Sequence, residues 1–124
     1  MLKEINEKNF DEETKNGIKF VVFTAPWCNF CQYQKPILKE LSNENIWIGE
    51  INADLNPKLV QHFNITGYPA FLLFKEGKLI GNFYGYKTKY ELLNNLLSFL
   101  NWKFFNLKTN FYTQFQLCNQ KLCT

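Results

Sequence analysis

The chain has 124 residues, 46% hydrophobic and 20% charged, enough for one domain that leaves roughly 7,000 Å² exposed of the roughly 21,000 Å² of an extended chain. Its charged fraction and 13 Phe exclude a disordered chain, and no run of 18 apolar residues is present to span a membrane. The net charge of +3 sits wholly on Lys103, Lys108 and Lys121, and there is no Arg to supply the planar fork favoured in nucleic-acid recognition, so neither nucleic acid nor a membrane is the expected partner.

In chain order, the N-terminus has charges every few residues and no apolar h-region, so a secretory signal is not expected and the protein is assigned to the reducing cytoplasm. There, four cysteines are more readily chemical or incidental than structural. A short strand at Leu2–Ile5 precedes a weak helix over about 8–16, stopped by Gly17. Ile18–Thr24 is apolar on both alternating faces apart from Lys19, the pattern of a central strand covered on both sides. A helix across about 29–43 carries Phe30, Tyr33, Ile37, Leu38 and Leu41 on one stripe, with Pro36 inside it as a kink.

Ile46–Ala53 is a second nearly continuous apolar run, broken by Glu50. Asn56-Pro57 reads as an N-cap followed by proline at the first helical position, opening a short helix to Phe63. Ala70–Lys75 and Lys78–Tyr84 form a hairpin across Glu76-Gly77. Thr88 and Glu91 make a capping box before Leu93, Leu96, Leu97 and Leu100 at helical spacing. This alternation predicts an α/β domain over residues 1–100 with a mixed sheet, in which only the final hairpin must be antiparallel.

The chemistry lies in Cys28-Asn29-Phe30-Cys31, which follows the central strand and opens the next helix. Free N–H groups and the macrodipole at a helix N-terminus favour a thiolate at Cys28, and Cys31 lies one turn on, close enough to resolve a mixed disulfide formed there. The alternative is a pair of ordinary buried cysteines.

Phe23-Thr-Ala-Pro-Trp-Cys-Asn-Phe-Cys31, with Pro36 beyond it, resembles the active-site segment of thioredoxins and of the catalytic domains of protein disulfide isomerases. Gly67-Tyr-Pro-Ala-Phe-Leu-Leu-Phe-Lys-Glu-Gly77 resembles the family's second signature, and Asp54-Leu-Asn-Pro57 and Gly85 have counterparts there. The resemblance covers about residues 2–100 and implies the thioredoxin fold, a five-stranded sheet flanked by four helices. It implies that Cys28 attacks and Cys31 resolves, and that the Tyr68–Pro69 bond is cis, leaving a proline without N–H beside the sulfurs. Trp27, Gly67, Tyr68 and Gly85 would rim an apolar shelf for an extended substrate; for Trp27 and Tyr68 the alternative is plain packing.

Three departures from the family pattern matter. The dipeptide between the cysteines is Asn29-Phe30, where thioredoxins usually carry Gly-Pro and the isomerases Gly-His; it helps set the redox poise. Val22 stands where the family has a buried acid, and Glu50 where it has a lysine on the neighbouring strand. Glu50 is therefore the candidate acceptor of the Cys31 proton, with a raised pKa, unless it is solvated at the strand's exit.

Residues 101–124 are an addition, with six aromatic residues, no acid, and Phe104, Leu107, Phe111 and Phe115 at helical spacing. Docking on its own domain or extending the last helix is the favoured role for this segment over a partner or anionic membrane surface. Cys118 and Cys123 read as incidental thiols rather than an electron relay, a disulfide locked under oxidation or zinc ligands, and His62 as a surface residue. The expected activity is thiol–disulfide oxidoreduction on disulfide-containing client proteins, without metal or organic cofactor. The expected protein is a monomer recharged by a thioredoxin reductase-like donor. The alternatives are a disulfide oxidant or isomerase, and a non-catalytic interaction module using the tail.

Overall fold

The computed structural model describes residues 2–100. Its strands are β1 (Lys3–Ile5), β2 (Ile18–Thr24), β3 (Ile48–Asn52), β4 (Ala70–Lys75) and β5 (Lys78–Tyr84). Its helices are α1 (Phe10–Thr14), α2 (Asn29–Ser42), α3 (Pro57–His62) and α4 (Lys89–Leu100), with a 3₁₀ turn at Ala53–Leu55. The chain divides into a unit of residues 1–93, described below, and one of 94–124, whose described part is the remainder of α4.

The sheet order is β1-β3-β2-β4-β5, so the strand that is apolar on both faces is central. β1 and β3 run parallel to β2, whereas β4 is antiparallel to β2 as well as to β5, one more antiparallel pairing than the hairpin alone requires. On one face Val21, Phe23, Ile51, Leu72 and Phe74 pack with Phe10 of α1 and with Leu59 and Val60 of α3. On the other, Phe20, Phe71 and Phe83 stack across β2, β4 and β5, with Phe71 and Phe83 only 4.8 Å apart. This second face also carries α2, which reaches Glu50 of β3 through Lys35.

Local chemistry explains where the elements begin and end. The first helix is five residues, shorter than the expected 8–16, because Asn6 Oδ1 accepts the Lys8 and Asn9 amides and holds the chain in a turn. The β4–β5 turn lies at Glu76-Gly77 as expected, both residues at positive φ (+52° and +83°), as a two-residue hairpin turn requires. Thr88 and Glu91 do form the reciprocal capping box, at 2.9 and 3.2 Å.

Four expectations need correction. The strand read from Ile46 to Ala53 is five residues, because Asn52 Oδ1 accepts the Asp54 and Leu55 amides and turns the chain into the 3₁₀ segment. Asn56 sits at the N-cap of α3 but does not cap it: its Oδ1 takes the Glu7 amide, and the Lys58 amide is capped by Glu7 Oε2 at 2.8 Å instead. The buried stripe of α2 is Cys31, Gln34, Leu38 and Leu41, while Phe30 and Tyr33 are exposed. In α4, Leu92 and Leu96 are buried, Leu93 and Leu100 half-buried and Leu97 exposed, so Leu92 joins the apolar face and Leu97 falls outside it.

Candidate active site

The buried β2 ends at Thr24, and Ala25, Pro26 and Trp27 turn the chain into α2. Cys28 occupies the N-cap with extended backbone (φ −92°, ψ 109°), so its side chain swings back over the first turn. Its Sγ accepts the Cys31 amide at 3.1 Å, while its own amide donates to the Ala25 carbonyl. Sulfur thus fills the role that a serine or aspartate oxygen plays at other helix starts. Both thiols are free and buried, Cys31 almost completely (1% exposed against 7% for Cys28).

Burial is the main cause that pushes the Cys31 thiol up to about 12, helped by its hydrogen bond to Cys28 and by the charges of Cys28 and Glu50; the Ala25 backbone opposes the shift. Part of that shift, the hydrogen bond and the charge, comes from the other sulfur.

Tyr68 packs against Ala25, Cys28 and Cys31. Trp27 meets it edge to face at 5.5 Å and is itself 64% exposed, with its indole N–H donating to Asp54 Oδ1 at 3.2 Å. Burial, then Asp54 and Cys31, raise the pKa of the Tyr68 phenol. The Tyr68–Pro69 bond is cis, and the Pro69 carbonyl accepts the Gly85 amide at 2.8 Å, which ties the start of β4 to the residue after β5. Gly67 is half-buried, its α-hydrogen side facing Tyr84 at van der Waals range.

Glu50 lies opposite Val22 in the β2–β3 register. It is neither bare nor simply solvated: Oε2 accepts the Thr24 hydroxyl at 2.8 Å and the Lys35 ammonium at 3.1 Å, with 20% of the side chain exposed. Cys31, Glu50, Thr24, Lys35 and Lys3 line a cavity of about 350 Å³ behind the first turn of α2.

The fold therefore brings Trp27, Cys28, Cys31 and Tyr68 together, links Pro69 to Gly85, and places Glu50 in the lining of a cavity that Cys31 shares. Sequence reasoning missed Thr24, Lys35 and Asp54, the partners of Glu50 and Trp27. For Lys35 a signal existed: it is four residues beyond Cys31, on the same helix face. Among the described residues no three His, Cys, Asp or Glu side chains cluster as a metal site would, and no helix is long and apolar enough to cross a membrane. His62 is exposed and stacks edge-on against Phe63. Cys118, Cys123 and the aromatic stripe of 104–115 lie outside the described residues.

Comparison with known proteins agrees with this geometry. The family model for thioredoxin matches residues 1–98. A thioredoxin of Chlamydia pneumoniae is 37% identical over 100 residues, 79% of this chain and 97% of the relative. A Listeria monocytogenes thioredoxin is 33% identical over 95 residues, 74% and 92% of the two chains, and one from Buchnera aphidicola is 34% identical over 94 residues, 72% and 87%.

Proposed function

This chain belongs to the thioredoxin family of thiol–disulfide oxidoreductases, and on that footing we propose that it works as a reductant of protein disulfides through Cys28 and Cys31. The observation that carries the reading is the Cys28 sulfur at the N-cap of α2, accepting the Cys31 amide at 3.1 Å while Cys31 stays buried beneath it. An amide hydrogen and the helix dipole directed at one sulfur support negative charge there.

Cys28 attacks one sulfur of a client disulfide. The client S–S bond breaks, a Cys28–client bond forms, and the first client thiolate leaves and takes up a proton. Cys31 then loses its proton and attacks Cys28 Sγ, forming the Cys28–Cys31 disulfide and releasing the second client thiol. Two electrons pass to the client, and a thioredoxin reductase-like donor must return them. Once Cys28 is engaged, the hydrogen bond and charge that help raise the Cys31 pKa are gone, which eases its ionisation while burial still opposes it.

Trp27, Gly67, Tyr68, Pro69 and Gly85 form the shelf on which the client segment lies. Glu50 takes the Cys31 proton across the cavity that the two share, held there by Thr24 and Lys35. A reducing compartment, the cytoplasm, suits this direction of electron flow.

Reduction of insulin disulfides tests the reading. Wild type should be active, Cys28→Ser inactive, and Cys31→Ser should stall as a mixed disulfide with its client. Inactive wild type would instead favour an interaction module. A reduction potential of the pair near about −270 mV supports the reductant, and one near about −120 mV would make it an oxidant. Glu50→Gln should slow resolution by about tenfold or more and change its pH profile; an unchanged rate and profile would remove Glu50 from the mechanism.

A further inference from the structure

Phe30 and Tyr33 were expected in the buried stripe of α2, yet they are 61% and 65% exposed. With Pro36 they follow one another at three-residue spacing along the helix. Tyr86, two residues beyond the end of β5, completes a groove of about 440 Å³ with them, and Gln32 is the one polar residue of its lining. No charged side chain lines it.

The groove is built rather than incidental. Gln34, with no exposed surface, pairs both atoms of its side-chain amide with the backbone of Lys87, at 2.9 and 2.8 Å. Lys87 Nζ in turn donates to the Tyr84 carbonyl at 3.0 Å. Tyr86 is thus flanked by two anchored residues and held beside α2. Its other neighbour, Gly85, bonds to Pro69 at 2.8 Å, so Tyr86 directly follows a residue tied to the proposed substrate shelf.

We propose that this groove is a specificity subsite that receives a bulky apolar or aromatic side chain flanking the client's disulfide cysteine. The inference rests on the reading that Cys28 attacks client disulfides. If it does, a client chain must pass here, because its sulfur must reach bonding distance of Cys28 and Phe30 is only two residues along the helix. Side chains beside that sulfur then meet Phe30, Tyr33, Pro36 and Tyr86 in place of water. The volume falls in the range of concave sites that hold organic groups, and aromatic rings gain from edge and face contacts there. Charged flanking residues would lose hydration against an uncharged lining. Clients are therefore chosen by the chemistry next to the disulfide as well as by the disulfide itself.

The test uses the full reduced protein and two peptides, each closed by one internal disulfide, with Phe or Ser on both sides of one cysteine. Bis(2-hydroxyethyl) disulfide, which has no flanking residue, reports the parent chemistry. The readout is the ratio of second-order rate constants for the Phe and Ser peptides. Wild type should prefer Phe by about tenfold, equivalent to about 1.4 kcal/mol. The double variant Tyr33→Ser/Tyr86→Ser should bring that ratio towards unity, and Tyr33→Phe/Tyr86→Phe should keep it. A wild-type ratio within twofold of unity, or a preference that survives both serines, overturns the subsite while leaving the reductase reading intact. Failure to reduce bis(2-hydroxyethyl) disulfide overturns the reductase reading and the subsite with it.

Discussion

Gln34 joins α2 to the segment that follows β5, and its replacement gives a measurable test of how that segment is held. Its side chain is completely buried, with Nε2 donating to the Lys87 carbonyl at 2.9 Å and Oε1 accepting the Lys87 amide at 2.8 Å. Gln34→Leu keeps most of the volume and removes both bonds. Each is worth about 1 kcal/mol net, and because Lys87 is half-buried water replaces part of the loss, so the expected cost is about 1–2 kcal/mol. Gln34→Ala also forfeits one buried methylene, about 0.8 kcal/mol, and leaves a void where the carboxamide stood, for a total of about 3–4 kcal/mol. At about 4–8 °C per kcal/mol for a domain of this size, thermal unfolding should fall by roughly 5–15 °C for leucine and roughly 15–25 °C for alanine. Circular dichroism reads the melting, and amide exchange at Lys87 reads the clasp directly. A leucine variant as stable as wild type, with Lys87 exchanging no faster, would refute the argument.

Three other outcomes follow from particular contacts. With the Cys31 pKa at about 12 folded against an ordinary 9.0, the stability linked to this thiol is complete below pH 9. It is lost as pH rises from there to 12, since the unfolded chain then gives up a proton that the folded one keeps. The slope is at most about 1.4 kcal/mol per pH unit. Denaturant titrations of the reduced protein across that window should show it, and Cys31→Ser should flatten it. Glu76 holds φ +52° without being glycine, so Glu76→Asn should stabilise the hairpin by about 0.5–1 kcal/mol; a lowered melting temperature would count against the turn assignment. Glu7→Ala removes the acceptor of the Lys58 amide and should cost about 1 kcal/mol in urea denaturation, whereas no change would mean that water caps α3 equally well.

Much of the fold was legible because its signals are local. The apolar run of β2, the Glu76-Gly77 turn and the Thr88–Glu91 capping box each depend on residues a few positions apart, and all lie where expected. In α2, Leu38 and Leu41 are buried as read, but Gln34 rather than Tyr33 completes the stripe, because a buried glutamine looks polar in sequence. Only the Lys87 backbone, 53 residues away, makes its burial affordable. Asn56 was misread as a cap for the same reason, since its partner Glu7 is 49 residues distant.

By itself the sequence determined the family, the alternation of strands and helices, and which two sulfurs share a helix turn, since motif spacing and periodicity are properties of neighbours along the chain. Tertiary structure alone decided that Cys31 is buried under Cys28, that Glu50 is paired with Thr24 and Lys35, and that Phe30 and Tyr33 face solvent beside Tyr86. Burial and pairing depend on groups brought close only when β3, α2 and the chain after β5 pack together, and no spacing along the chain encodes that proximity.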